Sequence, residues 1–173
     1  MSEPQSDTLN LRKSFGKAGF FGKTALLLSS WFGAGLMPKA PGTFGTLAAV
    51  PLVMALNYIG GFYGALFLMI FIPIAIWSSG LTQRILGQDD PSEVVIDEVA
   101  GFLLTLFLLP SSWLILFLGF ILFRFFDILK PVPIGMLEKK VPGGTGIVID
   151  DLLAGVYANL CLRIFLFVSA DII

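Results

Sequence analysis

The chain has 173 residues, of which 56 % are hydrophobic and only 13 % charged, with a mean hydropathy of +0.90. A soluble domain carries about 25 % charged residues, so this composition points to a single membrane-embedded domain. The net charge of −1 and the lack of any basic run exclude a nucleic-acid partner.

Residues 1–14 (MSEPQSDTLNLRKS) are polar and are expected to form a flexible N-terminus ahead of one domain over 15–173. They are not expected to be a signal peptide, because no apolar core follows the basic residues directly. The 20–37 stretch is apolar but interrupted by Gly22, Lys23, Ser29, Ser30, Gly33 and Gly35, which predicts a short helix in or dipping into the interface. A Pro/Gly turn at 38–45 follows, with Thr43 placed to cap a helix starting at Phe44. Apolar helices are predicted over 44–58 and 62–81, broken at Gly60-Gly61. A polar loop over 82–93 holds Gln88, Asp89, Asp90 and Glu93. Helices over 94–109 and 113–129 make a hairpin turned at Pro110-Ser111-Ser112, and a last helix covers 147–168.

The expected fold is therefore all-α, an integral membrane bundle of about six helices. Crossing a bilayer core takes about 20 helical residues. The 62–81 and 147–168 segments reach that length and the other three apolar helices fall short. Two hairpins and a final helix place 38–46, 82–98, 124–146 and 147–151 at one end of the bundle. Lys139, Lys140 and the N-terminal Arg12, Lys13, Lys17 and Lys23 lie on that side, whereas the turns at 59–61 and 110–112 carry no basic residue. The positive-inside rule then puts the motif end in the cytoplasm.

The chemistry-bearing residues fall in that end. Arg124, Asp127 and Lys130 recur at three-residue spacing and share one face of an otherwise apolar helix; a salt-bridged helix end at the interface would show the same stripe. Asp97 and Glu98 open an apolar helix, where acids also suit the helix dipole. Asp150 and Asp151 repeat that arrangement after Gly143-Gly144-Thr145-Gly146. These five carboxylates, Asp97, Glu98, Asp127, Asp150 and Asp151, stand against Arg124 and Lys130 in a poorly hydrated place. They suit a hard cation such as Mg²⁺, which takes carboxylates and fills its shell with water and phosphate oxygens; protonation of one acid is the competing remedy. The helix start at Gly42, Thr43 and Thr46 offers backbone N–H groups and hydroxyls to a phosphate, or is a plain turn and cap. Arg124 and Lys130 complete a phosphate clamp. Trp31, Trp77 and Trp113 suit interfacial anchors or core.

The absences narrow the reaction. There is no histidine, the surroundings of Cys161 lack a phosphate loop, and no D-x-D-x-[TV], G-x-x-x-x-G-K-[ST] or G-x-G-x-x-G run occurs. Any catalysis rests on carboxylates, cations, hydroxyls and a metal.

Four blocks, PGTFGTLAAVP, VVIDEVAGF, FRFFDILKPVPI and GGTGIVIDDLLAGVY, resemble in order the signature blocks of the phosphatidylglycerophosphatase A family, over residues 33–158. The resemblance implies a magnesium-dependent phosphatase acting on the phospholipid phosphatidylglycerophosphate in the bacterial inner membrane. It also implies an all-helical fold, in soluble relatives a six-helix bundle around one central helix. The DDPSE segment departs from members that carry histidines there, which leaves Asp89, Asp90 and Glu93 without an inferred role. Two rivals remain. A cation carrier or channel would spread acids over several depths of the membrane, whereas here they gather at one end. A phosphatidyl transferase would carry a D-G-x-x-A-R run, which is missing.

Overall fold

The structure, a computed structural model, describes residues 4–170. Residues 1–3 and 171–173, the outermost parts of the expected N-terminus and domain, lie outside the described residues. Within them the chain is all-helical: α1 (Pro4–Lys17), α2 (Phe20–Ser29), a short 3-10 helix (Ala34–Leu36), α3 (Pro41–Ala48), α4 (Val50–Ile59), α5 (Gly61–Leu86), α6 (Ile96–Thr105), α7 (Trp113–Leu129), α8 (Ile134–Lys140) and α9 (Gly144–Ala170). The helix expected over 44–58 is split into α3 and α4 at Ala49, just before Pro51. A proline cannot supply the backbone N–H that a continuous helix needs. The 41–59 stretch nevertheless supplies 19 residues, so among the described residues three segments and not two are long and apolar enough to cross a membrane: Pro41–Ile59, Gly61–Leu86 and Gly144–Ser169. Their length and composition are those of helices in a membrane protein.

The expectation that Thr43 caps a helix at Phe44 is corrected. The helix starts at Pro41 after Ala40, whose backbone is left-handed, and no side chain caps it. Proline suits a first helical position, because its fixed φ is helical and its missing N–H would have no partner there. At the other end of the first long pair, α5 continues past Leu81 to Leu86 and closes on Gly87 in left-handed backbone (φ 67°). Gln83 Nε2 donates to the Asp89 carbonyl over 2.9 Å, tying this extension to the polar loop.

Helix α6 is the central one. Ile96, Asp97, Val99, Ala100, Gly101, Phe102, Leu103 and Thr105 are all buried, against α9, α5, α7 and α3. Outward-facing Phe62, Met69 and Ile70 of α5, Trp113, Phe117 and Ile128 of α7, and Ile164 and Phe167 of α9 form the apolar exterior. The backbones of α6 and α9 approach each other closely. A Cβ added at Gly101 would meet the Asp151 carbonyl oxygen at 2.5 Å and the Phe123 ring at 2.6 Å, and one at Gly155 would collide with the Gly101 carbonyl. Small residues allow this contact, and without them the two backbones would have to separate.

Gly101→Ala is therefore expected to destabilise the protein by about 1–3 kcal/mol through overpacking. Gly16→Ala, where nothing lies within 4 Å of the added carbon, should hold or raise stability by about 0.5–1 kcal/mol. Unfolding in detergent measures both, and equal stability of the two variants would refute the close-contact account.

Candidate active site

Seven parts of the chain converge on one cavity of about 610 Å³: the starts of α3, α6 and α9, the ends of α5 and α7, and the segments 89–94 and 140–143. This is the end at which connectivity alone placed the motifs. Asp97, Glu98, Asp127, Lys130, Asp150 and Asp151 all line it. The acids of α6 and α9 reach it because each pair lies in the first two turns of a helix pointing the same way.

The five carboxylates divide into two groups. Oxygen atoms of Asp97, Glu98 and Asp151 lie within 4.8 Å of one another, with Asp97 and Asp151 only 7 % and 3 % exposed. Asp97 Oδ1 accepts the Glu98 backbone N–H at 3.0 Å, which fixes its carboxylate over the helix start. Asp127 and Asp150 are instead held by cations. Arg124 Nη1 is 2.6 Å from Asp127 Oδ2, one turn along α7, and 3.9 Å from Glu98 Oε1. Lys130 Nζ donates to Asp150 Oδ2 over 2.7 Å. Lys130 reaches α9 because it ends α7 in left-handed backbone (φ 43°) before Pro131, so its side chain leaves the Arg124–Asp127 face. The stripe expected on α7 is thus a local pair plus a cross-helix tie.

The predicted phosphate-binding residues are placed unevenly. Gly42 lines the cavity, and a Cβ there would overlap Glu98 Oε1 and lie 3.1 Å from Arg124 Nη1. The Thr46 hydroxyl is fully buried and donates to the Gly42 carbonyl at 2.8 Å. Thr43, Thr46 and Arg124 are not among the cavity-lining residues. Sequence reasoning left Asp89 and Asp90 without a role; both are on the cavity rim, with Glu93 buried beneath them at 1 % exposure. It missed Lys140 and Gln83 as lining residues altogether. A turn signal at Pro142-Gly143, shortly before the Asp150-Asp151 pair, was the available clue that the end of α8 lies at the site.

The family model described as Phosphatidylglycerophosphatase A matches residues 27–166, and the chain belongs to that family. A protein of Escherichia coli (strain K12) named phosphatidylglycerophosphatase A is 39 % identical over 131 residues, covering 75 % of this chain and 76 % of that protein. A Haemophilus influenzae protein of the same name is 40 % identical over 134 residues, covering 76 % and 82 %. A Bacteroides thetaiotaomicron protein provisionally named phosphatidylinositol-3-phosphatase is 34 % identical over 148 residues, covering 80 % and 91 %. No solved structure matches the chain.

The division of the acids has a measurable consequence. Asp150→Asn removes the charge paired with Lys130 and should lower stability by about 1–3 kcal/mol. Asp97→Asn and Asp151→Asn relieve like-charge crowding and should leave melting in chelator-treated detergent solution level or raised. A large early melt for the latter two, with none for Asp150→Asn, would reverse the assignment.

Proposed function

We propose that this family member is a Mg²⁺-dependent phosphatase acting on phosphatidylglycerophosphate at the cytoplasmic face of a bacterial inner membrane. It would release phosphatidylglycerol and inorganic phosphate. The observation that carries this reading is the meeting of Asp97, Glu98 and Asp151 in a cavity whose wall also bears Lys130. All three offer hard carboxylate oxygens, and the cavity leaves room for waters and phosphate oxygens, so these residues fit Mg²⁺. Asp127 and Asp150 stand beside them on the same wall. A bound ion would supply charge stabilisation on the phosphate oxygens.

The chain's own groups do the rest. Lys130 binds a phosphate oxygen as a point charge, and its tie to Asp150 holds the ammonium on the cavity wall. The Gly42 N–H at the start of α3 has no partner within the helix and faces the same end. Arg124 holds Asp127 and stands near Glu98, fixing two carboxylates. Water attacks phosphorus opposite the glycerol oxygen, the phosphorus–oxygen bond to glycerol breaks, water gives up a proton and the glycerol oxygen takes one. The clustered carboxylates are the groups able to accept and pass that proton. Ile128, Leu129 and Val132, exposed around Lys130, offer the acyl chains an apolar path, so the lipid need not leave the bilayer. An ion carrier is disfavoured because the described acids of the bundle gather at one end.

The test is phosphate release by the purified protein in detergent. Release from phosphatidylglycerophosphate should require Mg²⁺, stop with chelator, and fall about a thousand-fold in Asp97→Asn and Asp151→Asn. Gly42→Ala, whose added carbon displaces the Glu98 carboxylate, should lose about tenfold or more while melting normally. Release that survives chelation, or release confined to phosphatidylinositol 3-phosphate, would overturn the metal or the substrate.

Orientation has its own check. Ser92 is exposed on the cavity rim. Ser92→Cys in a Cys161→Ser background should react with a membrane-impermeant thiol reagent only after cells are opened. Labelling of intact cells would place the site outside.

A further inference from the structure

The cavity, of about 610 Å³, is far larger than three carboxylates and one phosphate need. Lys140, the last residue of α8, lines it together with Val141, Pro142 and Gly143, and so do the rim acids Asp89 and Asp90. The two cations on the reacting side are engaged, Arg124 with Asp127 and Lys130 with Asp150. Lys140 is exposed, lines the same cavity, and among the described residues holds no ion pair.

We propose that Lys140 binds the phosphodiester of the lipid while its phosphomonoester lies at Asp97, Glu98, Asp151 and Lys130, which makes Lys140 a specificity-determining residue. The proposal rests on the function proposed above. Phosphatidylglycerophosphate carries two phosphates joined through a glycerol. One is the monoester to be cleaved, and the other is the diester linking the head group to diacylglycerol. A site selective for this molecule over a simple phosphomonoester needs a second cation set back from the reacting centre. Lys140 is such a second cation, lining the cavity from α8 whereas Lys130 ends α7. A flexible ammonium suits this task, since the diester has one negative charge and needs no two-point fork. The rim carboxylates of Asp89 and Asp90 can accept a hydrogen bond from the free hydroxyl of the bridging glycerol. They would also repel a misplaced monoester, whose charge is higher. The Gln83 tie to the Asp89 carbonyl holds that rim in place. A lysine merely solvating the surface would show none of this selectivity.

The experiment compares wild type, Lys140→Gln, Lys140→Arg and the off-site control Lys23→Gln in detergent micelles with Mg²⁺. Lys140→Gln should melt as wild type, raise KM for phosphatidylglycerophosphate about fivefold and leave kcat within twofold. Competitive inhibition by phosphatidylglycerol, which has only the diester, should weaken by the same factor. Inhibition by inorganic phosphate, which mimics only the monoester, should not change. Lys140→Arg should restore most of the affinity, and Lys23→Gln should match wild type. Equal weakening toward phosphatidylglycerol and phosphate, no change toward either, or the same shift in Lys23→Gln would overturn the assignment. Wild type that fails to hydrolyse phosphatidylglycerophosphate would instead overturn the function on which it rests.

Discussion

The seam between α6 and α9 is the constraint on which the rest of the structure depends. The two helices start at the same end and run alongside each other with a constant difference of 54 in residue number. Asp97 meets Asp151, Gly101 meets Gly155, and Thr105 meets Asn159. Each step is four residues, so all three contacts lie on one helix face. The glycines one turn beyond the acids are what lets the backbones approach, and that approach brings the acids within reach of one another. Larger residues at Gly101 and Gly155 would separate the carboxylates before they altered any chemistry.

That juxtaposition is unfavourable in itself. Several carboxylates share a small, poorly hydrated volume, where like charges repel more strongly than in water. The structure handles the acids unequally. Arg124 takes Asp127 and Lys130 takes Asp150, while the remaining three share a space suited to a small hard ion. The packing energy of the apolar seam opposes the repulsion, because Phe102, Phe123, Val148 and Ala154 are fully buried around it. A stable scaffold can thus hold a site whose own electrostatics disfavour folding, a common arrangement where function sets the residues.

Much of this was legible in the sequence, and for identifiable reasons. The helices follow from apolar runs bounded by Pro/Gly turns, and their convergence follows from connectivity alone. The seam was also written there, as Asp97 and Asp151 each precede a glycine by four residues, though the repeat is visible only once the helices are paired. Other features depended on contacts that no local pattern encodes. Thr46 has the residue type of a ligand hydroxyl, but its burial commits it to the Gly42 carbonyl. Arg124 shares a helix face with Lys130 by spacing, yet the left-handed backbone at Lys130 sends that side chain elsewhere. Residues 144–146 fell before the helix expected over 147–168. They are instead the first turn of α9, because Gly144 packs directly on Ile76 and Gly80 of α5. A glycine chosen for contact and one chosen for flexibility look the same in a sequence.

The far end of the seam explains why so short a central helix is stable at membrane depth. Ten residues span about 15 Å, roughly half the apolar thickness of a bilayer, so the last carbonyls of α6 emerge where water is scarce. Unsatisfied carbonyls there are costly. Asn159 Nδ2 meets them, lying 3.2, 2.9 and 3.0 Å from the carbonyl oxygens of Leu104, Thr105 and Phe107. An amide has two hydrogens, so these contacts are shared among three acceptors. Arg163 steadies the arrangement, donating from Nε to Asn159 Oδ1 over 2.7 Å and from Nη2 to the Phe107 carbonyl over 3.2 Å. From Asp151 to Asn159 is the same number of residues as from Asp97 to Thr105. Helix α9 therefore holds α6 at two levels, by the Gly101–Gly155 backbone contact near the site and by the Asn159 cap at the end of α6. Because a capped helix cannot slide along its neighbour without exposing those carbonyls again, the depth of the carboxylates in the cavity is set by a polar contact about midway along α9.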